Sequence, residues 1–265
     1  MIPNPAPKGT IFDTHAHYDD RRFGEILDDL LKTLPEYGVC AIINCATDFN
    51  SAEKLIKLSD RYTYLYTAVG YHPLDIPKTG DLDIERLKSY TANPKVVAIG
   101  EIGLDYHYSA DNKPRQIEWF EQQVALACEL GLPVIVHDRE AHQDTYEILK
   151  KYRPKGVLHC FSGSVEFAKQ ILNLGMYIGL GGTVTFKNAK KPLEVAQYIP
   201  LGRLLLETDA PYMAPEPFRG KTCHSAHIAF TARKIAEAKG VDYVEILEKA
   251  KQNAFQLFGI KCVQG

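Results

Sequence analysis

A chain of 265 residues with 31 Lys and Arg against 33 Asp and Glu has a net charge of -2, so it carries no global basic field for holding nucleic acid, and any polyanion must be held locally. With 45% hydrophobic and 24% charged residues, a disordered or fibrous polymer is excluded and one sizeable core is allowed. No run approaches the roughly 20 apolar residues of a membrane span, and the start, Met1-Ile-Pro-Asn-Pro-Ala-Pro-Lys-Gly9, lacks an apolar stretch of signal-peptide length, so the chain reads as cytoplasmic with no membrane partner.

Strand-like and helical patterns alternate along the chain. Gly9 to His15 is the first expected strand, and Ile26, Leu27, Leu30, Leu31 and Leu34 recur at helical spacing from Phe23 to Leu34. Further strands are expected over Val39–Cys45, Leu65–Gly70, Val96–Glu101, Pro133–His137, Gly156–Phe161, Met176–Leu180 and Leu204–Asp209. Helices are expected between them, from Asn50 to Ser59, Asp83 to Thr91, Arg115 to Gly131, Gln143 to Tyr152, Ser164 to Leu174 and Pro192 to Tyr198. A Pro- and Gly-bearing loop from Ala210 to Lys221 then leads to two closing helices, Ser225 to Lys239 and Tyr243 to Phe258. Eight near-continuous apolar strands suit a closed parallel sheet buried on both faces, hence a (β/α)8 TIM barrel of the α/β class, with residues 1–265 as a single domain. Cysteines 40, 45, 128, 160, 223 and 262 form no Cys-x-x-Cys pair and suit a reducing compartment.

His15 and His17 stand two residues apart, which in a strand puts both imidazoles on one face. Glu101, His137, His159 and Asp209 each sit where another apolar run should end. In a barrel the carboxyl ends of the strands share one mouth, so all six are expected to converge there. Four imidazoles with two carboxylates are a mixed nitrogen and oxygen set, poorly matched to Ca and suited to borderline divalent ions. Six are too many for one open catalytic site; sharing a bridging carboxylate, they suit two ions that activate water. The candidates are Zn, Mn, Mg, Ni and Fe.

The chain resembles the TatD family of metal-dependent deoxyribonucleases, within the broader amidohydrolase-like barrels. The likeness is carried in order by Asp13-Thr-His-Ala-His17, Gly70-Tyr-His-Pro73, Gly100-Glu-Ile-Gly-Leu-Asp105, Val136-His-Asp-Arg139, His159-Cys-Phe-Ser-Gly163, Glu207-Thr-Asp-Ala-Pro-Tyr212 and Arg219-Gly-Lys221. The resemblance implies His15, His17, Glu101 and Asp209 around one ion, with Glu101 shared and His137 and His159 holding the second. It also implies hydrolysis of DNA phosphodiesters, with single-stranded DNA or DNA ends as the expected partner; no obligate protein partner is evident from the sequence. Asp209 and Glu101 are the expected catalytic carboxylates. His72, Arg139, Arg219 and Lys221 are the expected substrate contacts, Arg139 through a bidentate guanidinium and the last two through positive charge on a long loop. Asp105 is expected to orient a ligand or a basic group. Tyr106, Tyr108 and Tyr212 read as packing as readily as base-stacking groups and stay outside the site.

The chain departs from the family pattern after Lys221, where Thr-Cys-His-Ser-Ala-His227 replaces an Asn-x-Pro context, and at Phe218, where a His is common. Cys223, His224 and His227 read as an ordinary loop at a helix start. Because that loop is expected to border the mouth, substrate preference is what the departure touches. A carbonyl substrate would use the same ions, so an esterase or amidase acting on aminoacyl-nucleotide or small cyclic compounds is the alternative enzyme. A non-catalytic metal-binding protein is the alternative of another class.

Overall fold

Eight apolar runs form parallel strands whose residues are largely buried on both faces: Ile11–Ala16 (β1), Val39–Cys45 (β2), Leu65–Val69 (β3), Val96–Asp105 (β4), Val134–Arg139 (β5), Gly156–Leu158 (β6), Tyr177–Leu180 (β7) and Leu204–Leu206 (β8). A computed structural model describes residues 6–108 and 110–261; the proline-rich start as far as Pro5 and Cys262 lie outside the described residues. The strands pair in chain order. The helices are Leu27–Thr33 (α1), Phe49–Arg61 (α2), Ile84–Tyr90 (α3), Lys113–Leu130 (α4), His142–Tyr152 (α5), Val165–Asn173 (α6), Lys190–Tyr198 (α7), Ile228–Lys239 (α8) and Tyr243–Phe258 (α9). The architecture is a (β/α)8 barrel.

Side-chain alternation divides the strands between two apolar clusters. Ile42, Ile99 and Val136 pack with helical residues such as Leu55, Phe120 and Ile148. Their neighbours Ala41, Ile43, Ala98 and Ile135 join Val157 and Leu205 in a second cluster, which holds Phe258 of α9 and is flanked by Phe255. Phe12 meets Phe255 edge-on at 5.1 Å between centroids, so α9 covers the end of the barrel where β1 begins. Chemistry is left to the opposite end, where the strands finish.

The seam between the last strand and the first is held by side chains as well as backbone. Asp209 N–H donates to His15 O at 2.9 Å, His17 N–H to Ala210 O at 2.7 Å, and the Thr14 hydroxyl to Leu206 O at 3.1 Å. The wholly buried Asp13 carboxylate accepts from Thr208 N–H at 3.0 Å, the Thr208 hydroxyl at 2.6 Å and His15 N–H at 3.2 Å. One carboxylate of the first strand thereby fixes the segment after the last.

Several expected boundaries shift for identifiable reasons. Glu101 is not at the end of its strand: β4 continues to Asp105, because Ile102, Gly103, Leu104 and Asp105 pair with β5. β6 ends at Leu158 and β8 at Leu206, earlier than expected, because the chain turns away before the candidate ligands His159 and Asp209. The expected helix from Phe23 is broken into 3-10 turns around a short α1, with Pro35 in the second turn. α2 begins at Phe49, one residue before the expected Asn50, and is capped by the side chain of Asp48, which accepts Ser51 N–H at 2.7 Å. α7 begins at Lys190, before Pro192, which occupies its first turn.

Replacing Thr208 with Val keeps the shape but removes the hydroxyl donor from a buried carboxylate. The expected loss is about 1–3 kcal/mol, read as a lower urea midpoint with an unchanged slope. An unshifted midpoint would show that Asp13 does not hold the seam through this bond.

Candidate metal centre

Two backbone irregularities aim the central residues. Between β4 and β5 the register passes from Ile99↔Val134 to Ile102↔Val136, which leaves one extra residue at Gly100–Glu101. Between β1 and β2 it passes from Asp13↔Ile42 to Ala16↔Asn44, which leaves one at Thr14–His15. A one-residue bulge re-aims a side chain that regular alternation would leave elsewhere. Here the re-aimed groups are His15 and Glu101, both buried.

The two oxygens of Glu101 face different sets of donors. Oε2 lies 3.3 Å from His15 Nε2 and 3.5 Å from His17 Nε2, and the two nitrogens are 3.1 Å apart. Asp209 adds Oδ1 at 3.4 Å from His17 Nε2 and 3.8 Å from His15 Nε2. Oε1 lies 2.7 Å from His159 Nε2 and 3.1 Å from His137 Nδ1, which are 3.4 Å from one another. Ligand atoms held at about 2.1 Å from one tetrahedral cation stand roughly 3.4 Å apart. The six expected ligands therefore come together, with Glu101 between the two groups.

The remaining ring nitrogens decide which lone pairs face inward. His17 Nδ1 lies 2.8 Å from the Cys45 carbonyl, which can only accept, so Nδ1 carries the proton and Nε2 presents a lone pair. His15 Nδ1 faces Cys45 Sγ at 3.4 Å. His137 Nε2 faces Asp105 Oδ2 at 3.1 Å, which leaves Nδ1 toward Glu101. These outward partners are the kind that orient histidine ligands around a metal. The donor set and its tautomers fit a pair of borderline divalent ions.

His72 is different. By distance alone it could join Glu101 and His137 around a cation. Its Nδ1, however, accepts Leu74 N–H at 3.2 Å, so the proton sits on Nε2, 3.6 Å from Glu101 Oε1. That arrangement offers a hydrogen-bond donor at the mouth.

Electrostatics follow the same geometry. Burial pushes the Glu101 carboxyl upward, but the charge of His159 and the hydrogen bond from His137 hold it well below the usual carboxylate range. Burial alone would depress His17; its hydrogen bond to Asp209 and the charges of Glu101 and Asp209 instead hold it up to about 9, so a cation that takes the Nε2 lone pair does so by displacing a proton from it. For His72 burial outweighs the Glu101 charge, and the imidazole falls to about 3.

A cavity of about 1160 Å³ opens over these residues. Arg139 lines it with its guanidinium 4.7 Å over the exposed Tyr108 ring, and Tyr212 lines the other part. Arg219 and Lys221 do not line it: Arg219 lies over Phe186 at 4.2 Å, and Lys221 is exposed. Lys190 and Lys191 do line it, a pair that periodicity placed ahead of a helix starting at Pro192. Two further buried carboxylates, Asp13 and Glu207, stand behind the centre. Both occur in the motifs quoted for the family, but nothing in local spacing separates a supporting carboxylate from a ligand.

A family model described as TatD related DNase matches residues 12–259. The chain is 40% identical to an uncharacterized metal-dependent hydrolase, YabD, of Bacillus subtilis, over 94% of this chain and 99% of that one. It is 37% identical to another, YcfH of Escherichia coli, over 94% and 96%. The crystal structure of YjjV, a TatD homologue from E. coli, superimposes with a TM-score of 0.89 at 34% identity, covering 96% of this chain and 99% of that one.

The His72 geometry is open to direct measurement. Its pKa is lowered from 6.5, so the fold favours the neutral ring; the stability this contributes is complete above pH 6.5 and is lost as pH falls toward 3. Nitrogen-15 spectra of the imidazoles should show His72 neutral and protonated at Nε2 from pH 8 down to 5. An imidazolium signal for His72 already at pH 6 would contradict it.

Proposed function

The chain belongs to the TatD-related DNase family of metal-dependent hydrolases, and on that premise we propose that it is a deoxyribonuclease that cleaves DNA phosphodiester bonds at single-stranded segments or ends. The observation that carries the reading is the division of Glu101, with Oε2 toward His15 and His17 and Oε1 toward His137 and His159. A pair of divalent ions bound there supplies Lewis acidity and lowers the pKa of water at the site.

The protein's own groups then have separable tasks. Asp209 follows β8 in a left-handed backbone conformation, φ 58°, and points its carboxylate at His17 from the edge of the cavity. We assign it both ligation and acceptance of the proton of the attacking water. His72 offers its Nε2–H to a phosphate oxygen, and Arg139, held over Tyr108, offers a guanidinium fork to the same group. Lys190 and Lys191 add local positive charge to a molecule that has none overall. Arg219 and Lys221, outside the cavity lining, are left with contacts to more distant parts of a strand. We read residues 1–265 as one catalytic unit. Among the described residues no helix is long and apolar enough to cross a membrane, and we assign the enzyme to the cytoplasm.

Turnover of end-labelled single-stranded DNA, measured beside duplex DNA and a panel of esters and amides, tests the reading. DNA cleavage is expected, abolished by a chelator and restored by added divalent ion. Intact DNA with hydrolysis of an ester or amide would replace the nuclease reading with the other hydrolase, and full activity in excess chelator would end the metal reading itself.

Asn tolerates the left-handed conformation at position 209 and keeps one coordinating oxygen while losing charge and basicity. Asp209→Asn should retain most of the metal and lose turnover by about 10²-fold or more. Wild-type turnover at unchanged metal content would remove Asp209 from the proton transfer.

A further inference from the structure

Three of the four histidines expected as ligands around Glu101 have a hydrogen-bond partner for the nitrogen facing away from it: His17 and His15 at Cys45, His137 at Asp105. His159 is the exception. Its Nδ1 is buried without a hydrogen-bond partner, and the nearest carboxylate oxygen is Glu207 Oε1 at 3.7 Å, just beyond hydrogen-bond reach. Glu207 is only 1% exposed, and its Oε2 is likewise buried without a partner. Its Oε1 accepts Cys160 N–H, and Cys160 is turned into the left-handed region, φ 42°. Behind the carboxylate lies Gly179 of β7, where a Cβ would stand 2.9 Å from Glu207 Cδ and overlap Oε2. The carboxylate thus occupies space that any other residue at 179 would take.

Two unpartnered buried polar atoms on neighbouring groups are costly unless something draws them together. We propose that Glu207 is the positioning residue of the second ion: it receives the Nδ1–H of His159 and fixes the ring with Nε2 toward Glu101, and Gly179 leaves room for it to do so. The proposal rests on the reading above that His159 is a ligand of that ion. A carboxylate behind a ligating imidazole sets its tautomer and raises its basicity, and loss of such a partner weakens metal binding about 10–100-fold.

The test is titration of the full chain with Zn²⁺ against a competing chelator. Glu207→Gln keeps an acceptor for Cys160 N–H and should weaken the second ion about 10–100-fold, leaving the first unchanged. Gly179→Ala, which displaces the carboxylate from behind, should weaken the same ion. In a His159→Ala background Glu207→Gln should add no further loss, which a merely structural carboxylate would not reproduce. In zinc-loaded wild type a low-field, slowly exchanging ring N–H of His159 is expected, and this measurement needs no variant to fold. Wild-type affinity in Glu207→Gln, a loss that persists in full without His159, or the absence of that proton signal would each overturn the proposal while the metal centre stands. A wild type that binds fewer than two ions would overturn both.

Discussion

The structure depends on holding one carboxylate, Glu101, where four imidazoles and a second carboxylate meet inside an apolar barrel. Burying a lone carboxylate costs several kcal/mol even after relaxation, so the site is tolerable only when opposite charge surrounds the group. The bulge at Gly100–Glu101 places it there, and the pairing that resumes at Ile102 carries β4 on to Asp105. A strand ending at Glu101 would have left Asp105 on a free loop. Gly103, at φ 147°, leaves no room for a Cβ against the His137 backbone, so β4 and β5 approach closely beside Glu101 and His137.

Support for the centre is passed outward in steps. His137 leans on Asp105 Oδ2, while Asp105 Oδ1 accepts the backbone N–H groups of His107 and Tyr108 at 3.0 and 2.9 Å. The backbone of Asp105 is in turn bracketed by the buried Gln116 of α4, through Oε1 at 2.8 Å and Nε2 at 3.1 Å. A helix packed outside the sheet therefore sets the angle of an imidazole within it. His15 and His17 have their own support in one residue, Cys45, which serves one ring with its carbonyl and the other with its sulfur. The two halves of the centre are braced by different strands and share Glu101.

The barrel was legible because the strands are short, apolar on both faces and separated by helical periodicity, and because barrels collect their chemistry at one end. Six residues spread from His15 to Asp209 could be assigned to one mouth on that rule, but the bulges that aim His15 and Glu101, and the run of β4 past Glu101, could not be read from spacing. His72 could be set apart from the expected histidine ligands as a substrate contact, but the physical reason could not be read, since it depends on which ring nitrogen the Leu74 amide reaches. Nor were Lys190 and Lys191 at the cavity, because Pro192 is an ordinary first-turn residue and conceals where α7 begins. Arg219 and Lys221 illustrate the converse: a basic pair in a long loop after β8 is near the mouth in sequence, yet neither lines the cavity. Glu207 could be seen as part of a motif, but its place behind His159 depends on the empty space at Gly179, on another strand.

The segment that departs from the family pattern has a structural task. Cys223, His224 and His227 do not line the cavity. His227 stacks between His224, at 4.0 Å, and Phe218, at 4.6 Å, and burial drives the two imidazoles down to about 4 and about 3, so both are neutral packing groups. The residues flanking them are tied to the strand ends: Cys223 N–H donates to Pro211 O at 3.0 Å, and Ser225 meets the Tyr18 hydroxyl through both its N–H, at 3.0 Å, and its Oγ, at 2.8 Å. Pro211 lies two residues beyond Asp209, and Tyr18 directly follows His17. The expectation that this loop borders the mouth is not met by Cys223, His224 and His227, which stand outside the cavity lining. Phe218 supplies a flat apolar face for His227, His227 stacks in turn on His224, and the segment that carries the pair ties together the residues beside His17 and Asp209.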